Sequence, residues 1–355
     1  MSELITLSQS SPKFESYLLG NFAKNKRALP LQTLNVNSAA ETVTFKIVDV
    51  KDIQKPPLLV RWAMLLKVRS FLFLLVPLFL VLTKNIADET RIDHLMTAVA
   101  TAGVFLAFIA VNLRNDFIDH MRGVDRVLDR SGSRAIQRGW TTASRVKHLS
   151  SFFIILALLC GVPVIVAVPA VGEIVGAAAV IGLWAQFRKR NSFKYRIGGE
   201  LVLFIMLGPL LTVGYQLAMG AQLDAEVCWL GCLWGWLILF IVQLKNFTHI
   251  FVSSQAHFTN TVTWLGFDKS RRMLAMWWGL FILFNLMYHI KFAGFYWGWF
   301  ITASLAIFSI RFILQLKTIS SPVGSELRHV FRSGYGLFLL TIALWCFECL
   351  WYLIR

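Results

Sequence analysis

Leu95-Met-Thr-Ala-Val-Ala-Thr-Ala-Gly-Val-Phe-Leu-Ala-Phe-Ile-Ala-Val111 runs without a break into Asn112-Leu-Arg-Asn-Asp-Phe-Ile-Asp-His-Met-Arg-Gly-Val-Asp125. The first part is apolar enough to enter a bilayer, where a crossing helix needs about 20 such residues. The second part places Asn112, Asn115, Asp116 and Asp119 at helical spacings of three and four, so they share one face. Carboxylates at the end of a membrane helix are costly unless something is bound there, so the stretch reads as a functional site. The plainer alternative is a solvated helix end. Gly123 allows a turn that lets Asp125 return toward the same point. Converging carboxylates suit Mg²⁺, which takes oxygen ligands and shares its shell with substrate phosphates.

The rest of the chain agrees with a membrane reading. Its 355 residues are 57% hydrophobic, with a mean hydropathy of +0.63. The runs are too long and too apolar for barrel strands. The pattern predicts an all-α polytopic protein with nine transmembrane helices. These fall at Trp62–Thr83, Leu95–Asn115, Leu149–Pro169, Val171–Phe187 and Gly198–Gly220, then Val227–Asn246, Met273–Phe292, Phe295–Leu316 and Gly334–Ile354. Residues 1–57 are mixed in character, with no basic segment leading into an apolar one, and read as a cytoplasmic arm, partly folded at most. Residues 58–355 form the membrane domain, which Pro56-Pro57 introduces.

The net charge of +16 does not imply nucleic acid, because it is concentrated in alternate short loops. Arg122, Arg130, Arg134 and Arg145 follow span two, Arg188–Arg196 follows span four, Arg271 and Arg272 follow span six, and Arg328 and Arg332 follow span eight. The intervening loops carry acids such as Asp224 and Glu226. That alternation puts the N-terminus in the cytoplasm and the C-terminus outside. The five cysteines, including Cys346-Phe-Glu-Cys349, lie in apolar runs and read as buried soft side chains.

Two cytoplasmic span ends echo each other: Val111-Asn-Leu-Arg-Asn115 and Val242-Gln-Leu-Lys-Asn246. At this point a family resemblance is visible. Asn115-Asp116-x-x-Asp119-x-x-x-Gly123-x-Asp125 resembles the first aspartate motif of the UbiA-type intramembrane prenyltransferases. The likeness is strongest to the 1,4-dihydroxy-2-naphthoate polyprenyltransferase branch, which makes menaquinone precursors. Gly132-x-Arg134-Ala-Ile-Gln137-x-Gly139 and Lys194-Tyr195-Arg196-x-Gly198-Gly199-Glu200, with Gly208-Pro209 beyond, resemble further segments of that branch.

The second aspartate motif departs from the family. Lys245-Asn246 and Leu265-Gly266 hold its register, but His249 and Ser253 stand where the family has aspartates, and His257-Phe258 replaces Gly-Lys. Neutral histidine suits Zn, Cu or Fe better than Mg²⁺, and serine brings no charge.

The resemblance implies a UbiA-like bundle in a bacterial inner membrane. It would join the isoprenoid chain of a polyprenyl diphosphate to an aromatic, quinone-precursor-like or other electron-rich acceptor, using Mg²⁺. Asp116, Asp119 and Asp125 would hold the metal, with Asp116 and Asp119 catalytic. Asn112, Asn115, Arg122, Arg130, Arg134, Lys194, Tyr195, Arg196, Asn246, His249 and Ser253 would bind substrate. For any single arginine the competing reading is topology alone. Glu200 is expected to pair with the Lys194–Arg196 cluster, and His289 to be a satisfied helix histidine. The altered second motif keeps an alternative open: a degenerate, non-catalytic member that binds polyprenyl lipid or scaffolds a membrane complex.

Overall fold

A computed structural model describes residues 3–36, 38–127, 132–186, 196–255, 258–293 and 295–354. In chain order the elements begin with β1 (Glu3–Ser8), α1 (Phe14–Leu19), β2 (Lys26–Leu34), β3 (Thr42–Asp49) and α2 (Leu58–Leu65). There follow α3 (Leu72–Ala87), α4 (His94–Met121), α5 (Val124–Val127), α6 (Ala143–Ala167) and α7 (Pro169–Gln186). The remainder comprises α8 (Glu200–Leu207), α9 (Pro209–Ala218), α10 (Ala225–Thr248), α11 (Ile250–Gln255), α12 (Thr261–Tyr288), α13 (Phe295–Thr318) and α14 (Glu326–Ile354). They form two compact units.

The first unit comprises Met1–Phe71, Ala102–Gly161 and Gln255–His257. Its N-terminal part is a three-stranded antiparallel sheet in the order β1-β3-β2, where the sequence reading had only an arm. Alternation along β3 turns Val43, Phe45 and Ile47 inward, as period-two pleating requires. They pack with Phe14 and Leu18 of α1, and Met121 of α4 lies against the cluster. Pro30 cannot donate to a ladder, and the register slips between Pro30 and Gln32. A second cluster, Leu65, Ile109, Leu113, Ile136 and Val146, joins α2, α4, the 132–140 segment and α6.

The second unit comprises Leu72–Thr101, Val162–Ser254 and Phe258–Arg355. Helix α10 is its axis, with Trp234, Leu237, Phe240, Leu244 and Phe247 fully buried. Trp278, Phe281, Phe312, Phe338 and Trp345 from α12, α13 and α14 complete the core, linked by tilted and edge-on ring contacts. Helices α8 and α9 form one span broken at Gly208-Pro209. A Cβ on Gly235 of α10 would lie 2.6 Å from the Phe204 carbonyl oxygen, so only glycine permits this approach.

Among the described residues, eight helical segments are long and apolar enough to cross a membrane, and α7 adds the shorter apolar stretch Pro169–Gly182. Their outer faces expose Leu158, Leu159, Val166, Ile307, Phe308 and Ile310, an arrangement that suits lipid rather than water. The protein is therefore an all-helical integral membrane bundle, carrying a small sheet at its N-terminus. Boundaries differ from the sequence reading at several spans: the one expected from Trp62 is broken between α2 and α3, and α6 and α14 begin earlier than expected. Helix α12 starts at Thr261 rather than Met273, because an Asn260 capping box begins it and a kink at Gly266 carries it on.

Candidate functional site

Asn112, Asn115, Asp116 and Asp119 all lie on α4, and Asp125 opens α5 after the Gly123 turn. Asp116 is 2% exposed and Asp125 1%. The two carboxylates converge at Gly132, whose φ is +67°. A Cβ there would lie 2.9 Å from Asp125 Oδ2 and 3.1 Å from Asp116 Oδ1. The missing side chain of Gly132 thus leaves the gap between them. The Ser133 backbone N–H donates to Asp116 Oδ2 at 3.3 Å. Asp119 and Asn115 are half-buried on the same helix, as is Arg122 just beyond its end.

A cation already stands at this site. The Lys67 ammonium forms an ion pair with Asp116 Oδ1, although that oxygen accepts no aligned hydrogen bond. Lys67 has a left-handed backbone, φ 54°, and so does Arg134, φ 55°. Side-chain-bearing residues pay strain in that region, and such strain collects at functional sites. The Lys67 turn is tied to α4: Asn112 Nδ2 donates to Ser70 Oγ at 3.2 Å, and Ser70 Oγ donates to the Lys67 carbonyl at 2.7 Å. Asn112 therefore positions Lys67 in this structure.

The N-terminal segment supports the Gly123 turn, against which Val36 packs. Arg126 Nη2 pairs with Glu41 Oε1 at 2.7 Å, with side chains only 1% and 7% exposed. Burial lowers the Arg126 guanidinium pKa from its usual value, and Glu41 opposes that shift. His120 is fully engaged. A carbonyl can only accept, so Nε2–H donates to Leu18 O at 3.0 Å, and Nδ1 accepts from Gln137 Nε2 at 3.1 Å. That histidine fastens α1 and the Gly132–Gly139 segment to the end of α4.

The other motif residues lie in the second unit. Glu200 is buried and bonded within its own unit, while Lys194 of the basic cluster expected to pair with it lies outside the described residues. Glu200 accepts from Asn246 Nδ2 at 3.1 Å and from Thr261 Oγ1 at 2.8 Å. His249 caps the end of α10, with Nδ1 donating to the Lys245 carbonyl at 2.9 Å. Ser253 is buried on α11 and Arg196 is exposed. Arg130, Lys194, Tyr195 and His257 lie outside the described residues.

Among the described residues no three His, Cys, Asp or Glu side chains form a ready metal-holding group. Two carboxylates facing one gap are nonetheless the donor set Mg²⁺ uses when substrate phosphates complete its shell. Asp116 and Asp125 fit that role.

No family model matches the sequence, and no curated protein matches it. Solved structures do. A UbiA homolog from Archaeoglobus fulgidus bound to GPP and Mg²⁺ superposes with a TM-score of 0.57 at 13% identity, over 80% of this chain and 99% of that one. Its fold is the UbiA fold. The same homolog bound to DMAPP and Mg²⁺ gives 0.56 at 13% identity, over 80% and 98% of the two chains. A digeranylgeranylglyceryl phosphate synthase gives 0.56 at 15% identity, over 82% and 98%. Lys67, Ser133 and Gly132 surround Asp116, and Glu41 pairs with Arg126 of α5, without having been marked as site residues by sequence. Their signal lies in contacts between segments far apart in the chain, which no spacing displays.

Proposed function

We propose that this protein is an intramembrane prenyltransferase that takes a polyprenyl diphosphate and alkylates an aromatic, quinone-precursor-like acceptor, as in menaquinone biosynthesis. The observation that carries the reading is the convergence of Asp116 and Asp125 on the Gly132 gap at the end of a membrane helix. Mg²⁺ held there, with Asp119 adjoining, would neutralise charge growing on the leaving diphosphate. Lys67 stands ready as a fixed cation for the same charge, and Arg134 lies two residues from Gly132. The allylic C–O bond breaks with its electron pair going to diphosphate. The carbocation then takes a ring-carbon pair from the acceptor, and the displaced ring proton passes to a base. Buried aromatic and aliphatic walls would exclude the water that otherwise quenches the cation.

Asn115, Arg122, Arg130, Lys194, Tyr195, Arg196, Asn246, His249 and Ser253 are the proposed substrate contacts, with Asn112 acting through Lys67. We place the protein in a bacterial inner membrane, N-terminus in the cytoplasm and C-terminus outside, because basic residues collect in alternate loops. The test is Mg²⁺-dependent release of diphosphate by purified protein given a polyprenyl diphosphate and 1,4-dihydroxy-2-naphthoate. Release that ignores both Mg²⁺ and acceptor sinks the proposal.

One observation favours a second reading. Asn246 spends its amide on Glu200, and neither His249 nor Ser253 restores a carboxylate. A non-catalytic protein that binds polyprenyl diphosphate without turning it over has that composition. Binding of the diphosphate with no release identifies it.

A further inference from the structure

Within the second unit, at the end of α10 away from Asn246, a cavity of about 430 Å³ opens between α3, α10, α12 and α14. Helix α10 has 24 residues, so its two ends stand about 36 Å apart. The volume is that of a small-molecule pocket. Nothing in the prenyl-transfer reading uses it, and the following argument does not depend on that reading.

The lining is aromatic and acidic. Tyr288, Phe292, Trp345 and Tyr352 contribute rings, while Asp88, Glu226 and Glu348 face a single ammonium, Lys84. Lys84 is already saturated: it contacts Asp88, lies 2.6 Å from Asp224 Oδ2, and 3.2 Å from Glu226 Oε2. Tyr288 Oη donates to the other Glu226 oxygen at 3.0 Å.

Glu348 is different. It is 5% exposed, and its Oε1 has no hydrogen-bond partner among the described residues. Its Oε2 lies 2.9 Å from His289 Nε2. His289 Nδ1 donates to the Asn285 carbonyl at 2.6 Å, so that nitrogen carries a proton. One further proton lies between Nε2 and Oε2. On whichever of the two it resides, Oε1 remains an acceptor only. An orphaned buried acceptor costs free energy, and the group that satisfies it must be a donor. With the His289–Glu348 pair counted as neutral, Asp88, Asp224 and Glu226 still outnumber the nearby ammonium groups of Lys84 and Lys291, so a positive donor is favoured. Ring faces attract such a group, and at this end of the unit Lys291 Nζ already sits 5.0 Å from the Phe292 centroid. A metal ion fits less well, since no three ligating side chains gather among the described residues.

We propose that this cavity binds the ammonium group of an amphiphilic primary amine, with Glu348 Oε1 accepting its N–H and the surrounding rings enclosing its carbon body. The amine is carried on a lipid headgroup or on a free aryl-alkyl amine.

The test is native mass spectrometry of the full chain in detergent, titrated separately with phosphatidylethanolamine, phosphatidylglycerol and 2-phenylethylamine. At least one amine should bind about tenfold more tightly than phosphatidylglycerol, and the one that does so identifies the source. Glu348→Gln should weaken that binding about tenfold, the scale of one charge-assisted hydrogen bond, and leave phosphatidylglycerol unchanged. Should Glu348→Gln fail to fold, Cys349→Phe, which fills the lumen and leaves the His289 contact in place, should abolish amine binding. Neither amine exceeding phosphatidylglycerol overturns the proposal. So does amine binding that is unchanged in folded Glu348→Gln, or unchanged in Cys349→Phe.

Discussion

Lys67→Met should destabilise the protein in the absence of Mg²⁺ and make it more responsive to that ion. The substitution keeps the length and apolar stem of the side chain and removes the charge beside Asp116, which is 2% exposed. Stripping one partner from a fully buried ion pair costs about 3–5 kcal/mol. Here the Lys67 side chain is still 23% exposed and Asp116 keeps the Ser133 N–H, so the cost is scaled to about 2 kcal/mol. For a chain of this size that is a fall of roughly 3 °C in melting midpoint. Mg²⁺ at a hundred times its Kd contributes about 2.7 kcal/mol through binding to the folded state alone. In Lys67→Met no ammonium competes for Asp116 Oδ1, so Mg²⁺ should recover the lost midpoint and produce a larger rise than in the wild type. Differential scanning fluorimetry on the intrinsic tryptophans reads this directly, with Lys67→Arg as the charge-preserving control. Equal Mg²⁺ responses in Lys67→Met and wild type would refute the claim that lysine and metal share one carboxylate.

Asp116→Asn and Asp125→Asn should each slow diphosphate release at least about a hundredfold, the scale of losing a major electrostatic stabiliser, and an initial-rate assay checks both. Glu41→Gln leaves the Arg126 guanidinium buried at 1% exposure without its counter-charge, so the melting midpoint should fall by the equivalent of about 3 kcal/mol. The double change Glu41→Leu with Arg126→Leu should recover most of that loss in the same melt. Single-cysteine labelling in intact cells should find the Arg188–Arg196 loop inaccessible from outside, and accessible label there would reverse the topology. His249→Asp combined with Ser253→Asp restores the family's carboxylates. Turnover appearing only in that double variant would identify the native protein as a non-catalytic binder.

What the sequence displays is local, and what it hides is tertiary. Membrane spans need long apolar runs, so composition alone outlines them. The four polar residues of α4 share a helix because spacings of three and four are a helical property. The N-terminal sheet was legible in principle, since Val43, Phe45 and Ile47 alternate, but Pro30 and its register slip break the matching signal in β2. Lys67 carries no pattern at all. It reaches Asp116 because a left-handed turn, held by Ser70 and Asn112, aims it there. Glu200 shows the same limit: among the described residues its hydrogen bonds come from Asn246 and Thr261, each supplied by another helix and far from it in the chain.

That last contact gives the altered second motif a physical meaning. Asn246 has one amide group with two donor hydrogens, and one is committed to a buried carboxylate that also accepts from the start of α12. Glu200 therefore links three helices of the unit, and a substitution there acts on packing before it acts on any ligand. With histidine at 249 and serine at 253, the end of α10 carries no carboxylate at those positions, where the helix dipole is itself negative. Such a helix end, with a histidine as its capping residue, is less repulsive to an anionic diphosphate than the family pattern would be without its metal. The first stretch has carboxylates with a lysine beside them, whereas positions 249 and 253 carry none. On the proposed prenyl-transfer reading, only the first stretch offers carboxylates to a divalent ion. Such a protein should bind its diphosphate with a shallower dependence on Mg²⁺ concentration than a protein carrying both aspartate motifs. Isothermal titration of polyprenyl diphosphate at stepped Mg²⁺ measures that slope, and a dependence on two ions would contradict the reasoning.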